Sequence, residues 1–112
     1  MKKNSKYLAQ HLAQEILKKK GKEIIILDLR KMSPITDFFV IATGLSDIHI
    51  KNVMQTLIDF EKPHHVEGHE SAHWILLDYV DVIVHLFLKD IREFYGLERL
   101  WGDAPTIRIE DD

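Results

Sequence analysis

The string His69-Glu70-Ser71-Ala72-His73 has the spacing of a metalloprotease zinc site, two histidines four residues apart with a glutamate beside the first. That chemistry needs a helix, which brings both imidazoles onto one face and sets the glutamate next to a bound water. Here Gly68 precedes the string, and the apolar run Trp74-Ile75-Leu76-Leu77 follows it at once. A loop between strands fits better. In an extended segment the two histidines stand ~13 Å apart, at ~3.3 Å per residue. They are expected as exposed loop residues, with no metal and no cofactor.

Gly44-Leu45-Ser46, between a strand-like and a helix-like segment, could cradle a phosphate. With a carboxylate pair it would suggest nucleotidyl transfer, which needs two carboxylates on one face of a strand, two residues apart, to hold Mg²⁺. The candidates Asp78 and Asp81 are three apart and flank a turn. The chain has neither G-x-G-x-x-G nor G-x-x-x-x-G-K. A nucleotidyltransferase-type enzyme built on these residues stays as the alternative, and a plain strand–turn–helix junction is the favoured reading. The chain has no cysteine, which removes disulfides, thiolate metal sites and cysteine nucleophiles together. No residue is assigned a catalytic role, and the protein is read as a non-enzyme.

The aromatic residues suggest binding instead. Trp74, Tyr79, Phe94, Tyr95 and Trp101 fall late in the chain, interleaved with Asp78, Asp81, Glu98 and Asp103. Tryptophan and tyrosine among charges are typical of interface hot spots. Phe94 is expected in the core.

These residues need a scaffold. The apolar spacing predicts a helix over residues 5–20, stopped at Gly21. Strands are predicted over 23–29 and 38–43. Ser46 caps a helix running to residue 60. A weak strand at 64–67 and two strong ones at 74–78 and 82–87 follow, the last two forming a hairpin. A helix over 89–95 restarts after Gly96 through Trp101. The order α-β-β-α-β-β-β-α predicts an α/β (α+β) domain, one mixed β-sheet of about five strands with helices packed on it. Residues 1–105 form that single domain, and 106–112 an acidic, loosely held tail.

Period-two alternation sorts the hairpin side chains. Ile75 and Leu77, with Val82, Val84 and Leu86, belong under the helices. Trp74, Asp78, Asp81 and His85 are left on the freer side, with Tyr79, Tyr95, Glu98 and Trp101 as weaker members of a partner surface.

Charge is uneven. Residues 1–22 hold seven lysines and one glutamate, giving +6, whereas the rest holds eight Lys/Arg and seventeen Asp/Glu, giving −9. An acidic body argues against broad phosphate-backbone or DNA binding and suits a basic protein partner, with the basic first helix as the exception. No apolar run approaches the ~18 residues of a membrane span, so a soluble cytoplasmic protein is expected.

Several strings in order resemble the ribosomal silencing factor, or Iojap-related, family. They are Asp28-Leu29-Arg30, the stretch from Thr36 to Gly44, Glu67-Gly68, Trp74 to Tyr79, Asp81 to His85, and Phe94 to Ala104. The resemblance implies a nucleotidyltransferase-like fold without the catalytic carboxylates. It implies a repressor that binds the large ribosomal subunit through ribosomal protein uL14 at the intersubunit face, blocks subunit joining when nutrients are scarce, and forms a homodimer when free. Organelle relatives imply a role in large-subunit assembly. Two features depart from the family. Val80 stands where its members usually carry glycine, which implies another turn type or strain. The stretch before Glu67 is also shorter than usual.

Overall fold

The apolar runs assemble into one mixed six-stranded sheet in the computed structural model, which describes residues 4–110. In chain order the elements are α1 (Ser5–Lys18), β1 (Lys22–Asp28), β2 (Phe38–Gly44), α2 (Asp47–Phe60), β3 (His65–Glu67), β4 (Trp74–Asp78), β5 (Val82–Leu88), α3 (Lys89–Tyr95), α4 (Leu97–Leu100) and β6 (Thr106–Ile109). The spatial order is β3-β4-β5-β2-β1-β6. The central pair, β2 and β5, is parallel, and every other pair is antiparallel. A parallel pair cannot be closed by a tight turn. Here α2, β3 and β4 form the crossover.

One face of the sheet is covered at its centre by α1 and α2. Leu8, Leu12 and Ile16 of α1, with Ile50, Val53 and Leu57 of α2, pack on Ile75, Leu77, Val82, Val84 and Leu86. Those five strand residues are at most 2% exposed, as the alternation predicts. Side-chain oxygens cap both helices: Asn4 Oδ1 accepts from the Tyr7 N–H at 3.2 Å, and Ser46 Oγ from the His49 N–H at 3.1 Å.

Helix α1 ends in a Schellman motif, with Lys20 N–H bonded to Leu17 O and Gly21 N–H to Ile16 O. The left-handed position is Lys20, at φ +67°, not Gly21. Gly21 stops the helix for a different reason: a Cβ there would stand 2.3 Å from Ile16 Cγ2.

The structure corrects two expectations. The sheet has six strands rather than five, because Thr106–Ile109 is not a loose tail but edge strand β6, paired antiparallel with β1 from Ile24 to Leu27. Asp111 and Asp112 lie outside the described residues. Phe94 is not in the core but 77% exposed on α3, because that short helix turns its other side to the sheet.

The β4–β5 connection resolves the choice that Val80 posed. Val80 has φ +73°, and Asp81 N–H bonds back to Tyr79 O at 3.0 Å around it. That is a γ-turn of the strained, positive-φ kind. Asp78 Oδ1 braces it by accepting the Val80 N–H at 2.7 Å. A branched side chain in this region costs on the order of 1–3 kcal/mol. Val80 is half exposed, so little packing offsets the strain. Val80→Gly should therefore raise unfolding free energy by about 1 kcal/mol net of the added unfolded-state entropy. Urea titration checks it, and a lower midpoint would show that the turn is not strained.

Candidate functional site

The second face of the sheet is only partly covered. α3, α4 and the turn up to Ala104 close it over Ile25, Leu27, Leu29, Ile41 and Phe87. Toward β3 and β4 that cover ends. Phe39, Leu76 and Ile83 lie there half-buried, with Trp74 and Trp101 flanking them. The strand registers align two of them across the sheet, Phe39 with Ile83 and Ile83 in turn with Asp78, while Leu76 pairs with His85 in the next row. Asp78 is half-buried on the same face, and Asp81 is half-buried at the hairpin turn.

Trp74 is the best-held residue of this strip. Its ring lies 4.7 Å from Phe87 and 4.9 Å from Tyr95, centroid to centroid. Its indole N–H donates to His85 Nδ1 at 3.1 Å, which places the His85 proton on Nε2. From behind, Gly68 at φ +82° lies so close that a Cβ would stand 2.0 Å from the Trp74 carbonyl. Trp101 meets Phe39 edge-on at 6.1 Å.

The sequence expectations divide here. Trp74, Asp78, Asp81 and Trp101 are half-buried and Tyr95 is 50% exposed, so all five retain accessible surface. Two residues do not. Tyr79 is buried, because it turns toward α2, where its hydroxyl donates to Glu61 O at 2.9 Å and also approaches Leu57 O. Burial, and then the Glu61 charge, raise its pKa. His85 does face the expected side, but Trp74, Phe39 and Phe87 enclose it to 4% exposure. Burial pushes its pKa down to about 4. From that enclosed position it holds the Trp74 indole through the hydrogen bond to Nδ1.

Glu98 is half-buried in an ion pair with Arg92 at 3.2 Å. Arg92 itself was not singled out in the sequence, where it reads as a solvated helix charge. It is buried, and its Nη1 donates to Glu23 O at 2.7 Å and to Thr43 Oγ1 at 2.8 Å. Glu23 takes φ +48° at the β-bulge between Lys22 and Ile25, which turns its carbonyl toward Arg92.

His69 and His73 are exposed in the loop between β3 and β4. Among the described residues no group of three His, Asp or Glu side chains is placed to hold a metal. Gly44 is required by packing, since a Cβ would meet Ile50 Cγ1 at 2.4 Å, and Ser46 is the α2 cap. One oxygen of Asp78, Oδ1, is taken by the turn. No helix among the described residues is long and apolar enough to cross a membrane.

A family model described as "Ribosomal silencing factor during starvation" matches residues 2–112. Ribosomal silencing factor RsfS of Halalkalibacterium halodurans is 39% identical over 97 residues, 82% of this chain and 83% of that one. The protein of the same name from Bacillus subtilis is 36% identical over 112 residues, 96% and 95% of the two chains. A crystal structure of a Chromobacterium violaceum protein superposes with a TM-score of 0.83 at 30% identity, covering 89% of this chain and 88% of that one. A more distant mouse relative, 28% identical over 116 residues, 96% of this chain and 49% of that one, is named for mitochondrial assembly of the large ribosomal subunit. The chain belongs to the ribosomal silencing factor family.

Two tests follow from the buried polar residues. Between about pH 6.5 and 4 the unfolded chain binds a proton at position 85 that the folded chain excludes. This part of the stability is therefore complete above pH 6.5 and declines on acidification. His85→Gln should flatten the loss between pH 7 and 5 by about 2 kcal/mol relative to the parent, seen in urea titrations at each pH. An unchanged pH profile would mean that His85 titrates freely. Arg92→Ala should lower stability by about 2–4 kcal/mol, because the Glu23 carbonyl and Thr43 hydroxyl lose their donor while Glu98 loses its partner. Thermal melts check this, and a cost under ~1 kcal/mol would refute the anchoring role.

Proposed function

We propose that the half-open strip around Trp74 docks onto ribosomal protein uL14 at the intersubunit face of the large subunit, and that the bound chain sterically blocks subunit joining. The single observation carrying this is the half-buried group Phe39, Leu76 and Ile83 between two tryptophans, edged by carboxylates. Apolar area ringed by hydrogen-bonding groups is the composition of a hot-spot patch. The excess of negative charge beyond residue 22 supports a basic partner. Membership of a silencing family supports repression as the outcome. A role in large-subunit assembly is the second reading, favoured by the name of the mouse relative, and it would use the same strip.

Co-sedimentation with purified large subunits, with and without small subunits, tests the proposal. Trp74→Ala should weaken binding by at least ~30-fold, the ~2 kcal/mol of a hot spot. Because Trp74 also packs on Phe87, its stability should be measured on the same variant. Leu76→Lys is the companion, placing a cation where a basic partner would sit at little cost to the core, and it should weaken binding by at least ~10-fold. If both variants bind normally, or if the bound parent chain leaves small-subunit joining unchanged, the proposal fails.

A further inference from the structure

The connection from α1 to β1 is a corner of cations, Lys18, Lys19, Lys20 and Lys22, on a body that is otherwise acidic. Beside it lies an open hollow of about 570 Å³, lined by Lys18, Lys20, Lys22 and Arg108 from edge strand β6, with Glu23 and Glu110 also on its rim. All four cations are exposed. Lys18 pairs with Glu15 at 2.8 Å, while among the described residues no ion pair engages Lys19, Lys20, Lys22 or Arg108.

The backbone adds a second, independent observation. Lys20 occupies the left-handed position of the Schellman motif, where glycine or asparagine is easier by roughly 1 kcal/mol. A lysine there places a charge at the tip of the corner at the expense of stability, and such strain clusters at functional positions.

The corner is also aligned with the docking strip. Trp74 pairs with Phe87, Phe87 with Thr43, and Thr43 with Lys22, so one register row joins them across the sheet. At ~4.8 Å per strand, Lys22 stands about 14 Å from Trp74 at the same end of the sheet.

We infer that this corner grips the sugar–phosphate backbone of RNA on the large subunit while the Trp74 strip holds protein. Lys20, Lys22 and Arg108, with no ion pair among the described residues, stand around a shallow hollow, where such spaced cations match phosphates as point charges and read no sequence. No large apolar side chain is exposed between residues 17 and 24, so the corner lacks the anchor that a protein hot spot or a membrane surface would use. The inference rests on the docking proposed above, which carries this end of the sheet onto a surface rich in RNA.

The test is the salt dependence of binding to purified large subunits, with the full chain and the variant Lys19→Gln/Lys20→Asn/Lys22→Gln. Each lost phosphate contact removes roughly 0.7–0.9 from the slope of log affinity against log salt. The variant should lose at least ~1.5 of slope, bind about tenfold more weakly at ~50 mM salt, and converge on the parent at high salt. Lys51→Gln/Lys62→Gln, which alters exposed lysines elsewhere, should leave the slope unchanged. Trp74→Ala should lower affinity at every salt concentration without changing the slope. If Trp74→Ala binds like the parent but the corner variant loses slope, the docking proposal falls and the phosphate contact stands. An unchanged slope in the corner variant overturns the inference, whatever Trp74→Ala does. Protein-free large-subunit RNA at ~50 mM salt identifies the ligand: the parent should be retained weakly and the corner variant released. Equal behaviour of the two on that RNA would mean that an acidic protein is being read, and would also overturn it.

Discussion

Arg92 holds the second layer of the molecule in place. A guanidinium directs several donors from one plane, and this one uses them to tie α3 to the bulge carbonyl of Glu23, to the Thr43 hydroxyl at the end of β2, and to Glu98 of α4. α3 is seven residues long and α4 four. Helices this short have little stability of their own. Their position over the sheet comes from that polar anchor and from Ile91, Leu97 and Trp101 packing on the sheet.

The size of the cover then decides what remains open. α1 and α2 cover the other face over its central strands, so those residues are buried, and only the edge opens, where Ile107 of β6 is 40% exposed. α3 and α4 reach only part of theirs. Phe39, Leu76 and Ile83 stay only partly buried as a consequence, while His85, the register partner of Leu76, is enclosed by aromatic rings. The same boundary makes Trp74 both a packing residue and a surface residue. Its indole N–H is already bonded to His85, so a partner would meet a ring whose orientation is set beforehand and that loses little side-chain freedom on contact.

Alternation along β4 and β5 was enough to read the sealed face, because the side-chain period of a strand is two and one face was apolar throughout. It also placed Trp74 and Asp78 on the opposite face. It could not separate buried from open on that face, since this depends on how far two short helices extend, and Arg92 looks like any surface cation until Glu23 and Thr43 are seen beside it. Tyr79 was misread for a related reason: a turn residue can swing to either side, and the α2 carbonyls that draw it in are distant in sequence. Strand β6 was legible in principle, as Thr106-Ile107-Arg108-Ile109 is β-branched and alternating. The acidic residues after it outweighed that signal. The γ-turn at Val80 follows from residue type only once the hydrogen bond from Asp81 to Tyr79 fixes the geometry.

The pairing of β1 with β6 bears on how the chain is made. β1 is translated early and β6 nearly eighty residues later, yet the two are neighbours in the sheet. During synthesis the outer rim of β1, a run of isoleucines, has no backbone partner until residues 106–109 have left the exit tunnel. An uncovered apolar strand rim is a template for pairing with other chains, and contacts this distant in sequence form slowly. The sheet is therefore completed only once residues 106–109 are available to pair, and a chain without them is most prone to aggregate through the open rim of β1.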